Sequence, residues 1–124
     1  KGYFKTGDIG YLDKNNNLFY LGRKKNVIKR SGVNIYPEDI EGILLKNSNI
    51  KEVAIIPFIK NSSTKIILFV KKDKTLTYNL IRNICLKKLS TFQLPNEIKL
   101  ISRFPKTSSQ KIDKQKIKKN FLKY

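Results

Sequence analysis

The sequence predicts an α+β fold: a small two-layer sandwich in which a short mixed sheet packs with about three helices, preceded by a β-hairpin. Three observations carry this expectation. Apolar residues recur at helical spacing in two segments, Ile40, Ile43, Leu44 and Leu80, Ile81, Ile84, Cys85. Residues 53–58, 65–70 and 98–104 are apolar runs of strand length. The elements then alternate as helix, two strands, helix, strand, helix, with no internal repeat. A chain of 124 residues, 40% apolar, suits one small domain and is too apolar for a disordered segment.

Each element has a local reason. Residues 9–12 and 18–21 are apolar, aromatic runs, and between them Asp13, Lys14, Asn15, Asn16 and Asn17 supply a turn, because Asn tolerates left-handed backbone. Residues 22–32 are polar and basic, too short and too charged for a core element, and read as a linker. Pro37 opens the first helix at the position that needs no N–H, and Glu38, Asp39 and Glu41 complement the positive helix end. Asn47, Ser48 and Asn49 end that helix. The strands 53–58 and 65–70 join through the polar turn 60–63, and a second amphipathic helix runs over about 77–89. Asp113 caps a short basic helix containing Ile117, Phe121 and Leu122.

Charge is the most conspicuous bulk property: 27 Lys and Arg against 9 Asp and Glu, a formal +18. A polyanion partner is one explanation. Compositional drift is the favoured one, since the chain is rich in Lys, Asn and Ile together and the bases are spread along it without an aromatic RNA-binding motif. Nucleic acid is therefore not the expected partner. The chain contains no histidine, which removes the usual base of Ser/His/Asp and Cys/His schemes and any histidine metal site; no metal ligand set is expected. Cys85 lies on the apolar face of the second helix and reads as a core thiol. A single cysteine forms no internal disulfide, which suits a reducing, cytoplasmic location. No apolar run is long enough to cross a bilayer, and a membrane partner is left open. Because the first residue is Lys1 rather than Met, the N-terminus is expected to be a cut site.

Three ordered motifs carry a resemblance. The first is Gly2-Tyr3-Phe4-Lys5-Thr6-Gly7-Asp8. The second is Gly22-Arg23-Lys24-Lys25-Asn26-Val27-Ile28-Lys29-Arg30-Ser31-Gly32, running into Val33-Asn34-Ile35-Tyr36-Pro37-Glu38-Asp39-Ile40-Glu41. The third is Pro105-Lys106-Thr107-Ser108-Ser109-Gln110-Lys111-Ile112-Asp113. Together they resemble the adenylate-forming (AMP-binding) superfamily of acyl-CoA synthetases, peptide-synthetase adenylation domains and luciferases. In that family a large N-terminal domain binds ATP and a carboxylic acid, and a mobile small domain closes over it, first for adenylation and then for transfer to a thiol. The resemblance implies that residues 1–24 are the last hairpin of the large domain and that residues 25–124 are the lid.

Roles follow by resemblance, position by position. Asp8 resembles the carboxylate that accepts from both ribose hydroxyls of ATP, and Arg23 the arginine of the ribose and phosphate region. Lys25 falls at the hinge, which is Asp or Lys in relatives. Lys29 matches a lysine that some relatives use in the second half-reaction, and Ser31 and Gly32 match the loop passed by the pantetheine arm of the thiol. Lys111 resembles the catalytic lysine of the last motif, which meets the carboxylate and the α-phosphate. Gln110 stands where relatives usually have Gly, a departure that costs of order 1 kcal/mol if the turn needs φ > 0. The expected activity is that of an ATP-dependent carboxylic acid:CoA ligase, with ATP (its Mg²⁺ held by the large domain) and coenzyme A as cosubstrates, and the missing N-terminal domain, a small carboxylic acid and CoA as partners. The isolated segment is expected to be inactive. The alternatives are an adenylation domain that loads a carrier protein and a basic nucleic-acid-binding module.

Overall fold

The computed structural model describes the backbone of residues 2–3 and 8–121 and the side chains of residues 9–121. The elements are β1 (Gly2–Tyr3), β2 (Asp8–Leu12), β3 (Leu18–Arg23), β4 (Ile28–Arg30), β5 (Val33–Ile35), α1 (Pro37–Leu45), β6 (Val53–Lys60), β7 (Ser63–Lys71), α2 (Tyr78–Lys88), β8 (Glu97–Ile101) and α3 (Lys114–Phe121), with 3-10 turns at Lys24–Asn26 and Thr91–Gln93. Thr6 and Gly7 of the first motif, and Leu122, lie outside the described residues.

The predicted first hairpin is β2–β3. Its turn closes on Asp13, whose carboxylate accepts from the backbone N–H of Asn15 at 2.8 Å and of Asn17 at 2.9 Å, while Asn16 takes φ 65°. Local side-chain acceptors and a left-handed Asn are what the sequence offers there.

The main sheet has the order β6-β7-β8, with β6 antiparallel to β7 and β8 parallel to it. Asn61 and Ser62 join β6 to β7 at φ 52° and 64°, the left-handed pair that matches strand twist in a two-residue hairpin. Side chains alternate between two cores. Ile55, Ile66, Leu68 and Val70 pack with Ile40, Leu44, Ile81 and Cys85 of α1 and α2. Ala54, Ile56, Ile67 and Phe69 face the other way, toward Ile101, Phe104 and Ile117. Burial on both faces explains why β6 and β7 read as continuous apolar runs rather than alternating ones. Phe104, expected within the third strand, lies three residues past the end of β8 yet is buried in the second core.

β6 is an edge strand, and its outward side is blunted. The Ile55 N–H donates to Glu41 Oε2 at 2.8 Å, and Pro57, two residues on, has no N–H to offer. Glu41 Oε2 also pairs with Lys114 Nζ at 2.7 Å, so one carboxylate joins α1, β6 and α3.

The structure corrects the linker expectation for residues 22–32. Gly22 and Arg23 finish β3, Lys24–Asn26 form a single 3-10 turn, and Ile28–Arg30 form β4, paired antiparallel with β5. Ile28 is 4% exposed and belongs to the first core. Alternation along β4 puts Ile28 and Arg30 on one face and Lys29 on the other, and the charges of the two basic residues hide Ile28 from a composition reading. Among the described residues no helix is long and apolar enough to cross a membrane.

Candidate functional site

The motif residues fall into two groups at opposite ends of β6. The first surrounds the end of β3. Asp8 and Arg23 are register partners across the β2–β3 hairpin, and Arg23 is exposed at its end. Lys25 occupies the middle of the 3-10 turn and is exposed. That turn is tied to α1 by Asn26 Nδ2, which donates to Glu38 Oε2 at 2.5 Å. Glu38 Oε1 is buried and has no hydrogen-bond partner among the described residues. A Cβ on Gly22 would lie 2.5 Å from that oxygen and 3.2 Å from Tyr36 Cβ, so the glycine allows β3 to press against the first turn of α1.

Lys29 is exposed in the middle of β4, opposite Asn34. Ser31 and Gly32 form the β4–β5 turn, exposed and both left-handed, at φ 52° and 78°. Arg30 fixes this turn to the rest of the domain, a role that the sequence reading missed. Its Nη1 donates to the carbonyls of Phe92 and Leu94 at 3.2 and 2.6 Å, and its Nη2 to Asn96 Oδ1 at 3.0 Å. Asn96 Oδ1 in turn accepts from the Ile66 N–H at 2.8 Å, at the start of the β7–β8 pairing. One available signal was an arginine in a chain whose basic residues are mostly lysine, since a planar fork can reach several fixed acceptors where an ammonium cannot.

The second group is the third motif. Lys106 and Ile112 form an antiparallel bridge, Thr107 N–H donates to the Lys111 carbonyl at 2.7 Å, and Gln110 N–H donates to the Thr107 carbonyl at 2.9 Å. This is a three-residue hairpin loop whose last residue must be left-handed, and Gln110 takes φ 68°. The expected strain is therefore present: a side chain occupies a conformation that glycine adopts freely. Lys111 stands exposed at the loop end, its N–H directed to Thr107 Oγ1 at 3.2 Å. The hairpin is anchored at its base, where Lys106 Nζ pairs with Glu52 Oε2 at 2.5 Å and Asp113 N–H donates to the Pro105 carbonyl at 2.9 Å.

Glu52 precedes β6, whereas Val27, Ile28 and Lys29 share a groove with Pro57, Phe58 and Ile59 near its other end. Six residues of strand separate Glu52 from Phe58, about 20 Å at the usual rise. The fold thus does not bring Lys111 together with Lys25, Lys29, Ser31 or Gly32. Among the described residues no cluster of carboxylates and cysteine could hold a metal ion. Cys85 is buried, its thiol pushed up to about 11 by burial, in keeping with a core thiol rather than a nucleophile.

No family model matches the chain. A 2-succinylbenzoate–CoA ligase of Listeria monocytogenes is 40% identical over 119 residues, covering 94% of this chain and 25% of that protein. A long-chain-fatty-acid–CoA ligase of Haemophilus influenzae is 39% identical over 113 residues, covering 90% of this chain and 20% of its own length. Among solved structures, o-succinylbenzoate CoA synthetase of Bacillus subtilis with its acyl-adenylate intermediate superimposes with a TM-score of 0.80 at 26% identity, over 92% of this chain and 24% of that one. A Mycobacterium tuberculosis fatty acyl CoA synthetase gives 0.76 at 27% identity, over 95% and 24%. The chain spans about a quarter of the length of the curated relatives it matches. Ordered motifs, fold and relatives agree: the chain belongs to the adenylate-forming (AMP-binding) acyl-CoA ligase family and corresponds to a quarter-length segment of its members.

Proposed function

We propose that this chain is the hinge and lid of an ATP-dependent carboxylic acid:CoA ligase, with residues 1–24 closing the larger domain and residues 25–124 forming the lid. In the overall reaction the acid's carboxylate oxygen displaces pyrophosphate from ATP to give an acyl-adenylate. The thiol of coenzyme A then attacks the acyl carbon and AMP leaves. Asp8 accepts from the ribose hydroxyls, and Arg23 beside it donates to the phosphate side; their opposed register supports a shared task. Lys111, on its hairpin tip, neutralises charge as it moves between carboxylate and α-phosphate. Lys25 absorbs the dihedral change as the lid turns, and Lys29, Ser31 and Gly32 then border the path of the pantetheine thiol. The Mg²⁺ that accompanies ATP belongs to the larger domain.

The observation that supports this reading is that Lys106, at the base of the third-motif hairpin, pairs with Glu52 just before β6, whereas Val27, Ile28 and Lys29 share a groove with Pro57, Phe58 and Ile59, about 20 Å further along the strand. With Asp8 and Arg23 fixed on the larger domain, a rotation at residue 25 that carries the Lys111 hairpin out of the site brings the Lys29–Gly32 face toward it, as two successive half-reactions require. Relatives at 40% and 39% identity over this segment are named for different acids, so acid selectivity is assigned to the larger domain. The test is AMP and acyl-CoA formation by the full-length gene product with ATP, CoA and a panel of aromatic and fatty acids. CoA-dependent thioester formation is expected, with none from this segment alone. Transfer only to a carrier-protein phosphopantetheine would overturn the choice of acceptor, and turnover by the isolated segment would overturn the lid assignment.

A further inference from the structure

We propose that the groove between the C-terminal ends of α1 and α2 docks an acidic amphipathic helix of a partner protein. Ile43 and Ile84 form its half-buried floor, and Lys46, Asn47, Lys87 and Lys88 its rim, around a volume of about 520 Å³. No carboxylate lines the groove, and among the described residues none of the three lysines forms an ion pair. Lys87 and Lys88 offset the negative end of the α2 dipole. Three ammonium groups around one apolar floor nevertheless repel one another until carboxylates arrive between them.

Gly42 is a second, independent feature of the same face. It lies inside α1, one turn before Lys46, and is exposed. A Cβ there would meet nothing within 4 Å. Glycine weakens a helix interior relative to alanine, and here the protein's own packing gives no reason for it. A bare stretch of backbone beside the groove lets an external chain approach closely.

The chemistry selects the occupant. A slot between two helices takes a third helix by ridge-into-groove packing, with an apolar residue on the isoleucines and acidic residues against the lysines. Nucleic acid has no apolar side chain for the floor, and the lining has no aromatic ring on which a base could stack. A bilayer is met by protruding apolar side chains, whereas Ile43 and Ile84 are half-buried among exposed lysines.

The inference does not rest on the ligase reading and is tested on the chain itself. The probe is a labelled helical peptide of about five turns with Leu at helical spacing and Glu on both flanks, compared by fluorescence anisotropy with a scrambled peptide of the same composition. Binding at least about tenfold tighter than the scrambled control is expected, weakening with salt. Gly42→Gln, whose Cβ meets nothing within 4 Å, should weaken it about tenfold, and the combination Lys46→Glu, Lys87→Glu, Lys88→Glu about a hundredfold, with the helical circular dichroism of both variants unchanged. Equal affinity for the scrambled peptide, or no response to Gly42→Gln, would overturn the proposal. So would duplex DNA or anionic vesicles that compete with the peptide and lose affinity in the same variants, since the groove would then be a general polyanion or membrane surface.

Discussion

The two ends of β6 are built differently. At the Glu52 end, the Lys111 hairpin is held by backbone hydrogen bonds across its strands, by Lys106 on Glu52 and by the Asp113–Pro105 bond at its base. At the other end, the turn that carries Lys25 is a single exposed 3-10 turn whose Asn26 donates to Glu38 of α1. An exposed, solvated turn opens at lower free energy than a closed hairpin, which moves as a body. On the proposed reading, the exposed turn is the pivot and the closed hairpin is carried.

The largest expected effect is on the carried end. In the full-length parent, Lys111→Ala should slow adenylation by ~10²–10³, or ~3–4 kcal/mol, because one preorganised donor to developing charge is lost. Thioester formation from supplied acyl-adenylate should change little. Next in size is Arg30→Lys, which exchanges a fork reaching three acceptors for a point charge. It should destabilise the isolated chain by about 2 kcal/mol in urea unfolding; a change within error would mean that the β4–β5 turn is held by packing alone.

The Glu41 clamp gives a pH test. Burial raises its carboxyl above the usual 4.5, against the opposing pull of Lys114 and the Ile55 N–H. The folded state therefore holds this proton more tightly than the unfolded chain does. The associated stability is fully present below 4.5 and is lost as pH rises through the folded value. The stability difference between wild type and Glu41→Gln should accordingly shrink or reverse with rising pH above 4.5, as measured by thermal unfolding; a difference that grows with pH would contradict the sign.

The smallest effect is Gln110→Gly. Relief of φ 68° should stabilise the chain by about 0.5–1 kcal/mol, the strain being partly offset by glycine's entropy when unfolded. Destabilisation would mean that the Gln110 side chain contributes contacts that outweigh the strain.

Much of this was legible in the sequence because its causes are local. Asp13 to Asn17 form their own turn, Pro37 and Thr77 mark helix starts, and Asp113 caps α3 by accepting the Lys116 N–H at 3.1 Å. Gln110 could be suspected because a family motif has glycine there. The clamps were not legible because their partners are distant in the chain: Arg30 reaches Asn96 across 66 positions, and Glu41 reaches Ile55 across 14. Ile28 was concealed by the charge of its neighbours, and a backbone register had to be known before its inward direction could be.

The central claim is that residue 25 is the pivot between two half-reactions that use opposite ends of the lid. It is tested most directly by measuring each half-reaction of the full-length Lys25→Pro variant under pre-steady-state conditions. Proline fixes φ at one value, so the lid should be confined to one of its two arrangements. Adenylation should proceed near the wild-type rate, while transfer from acyl-adenylate to CoA falls by at least about tenfold. Equal loss in both half-reactions, or none in either, would contradict the account.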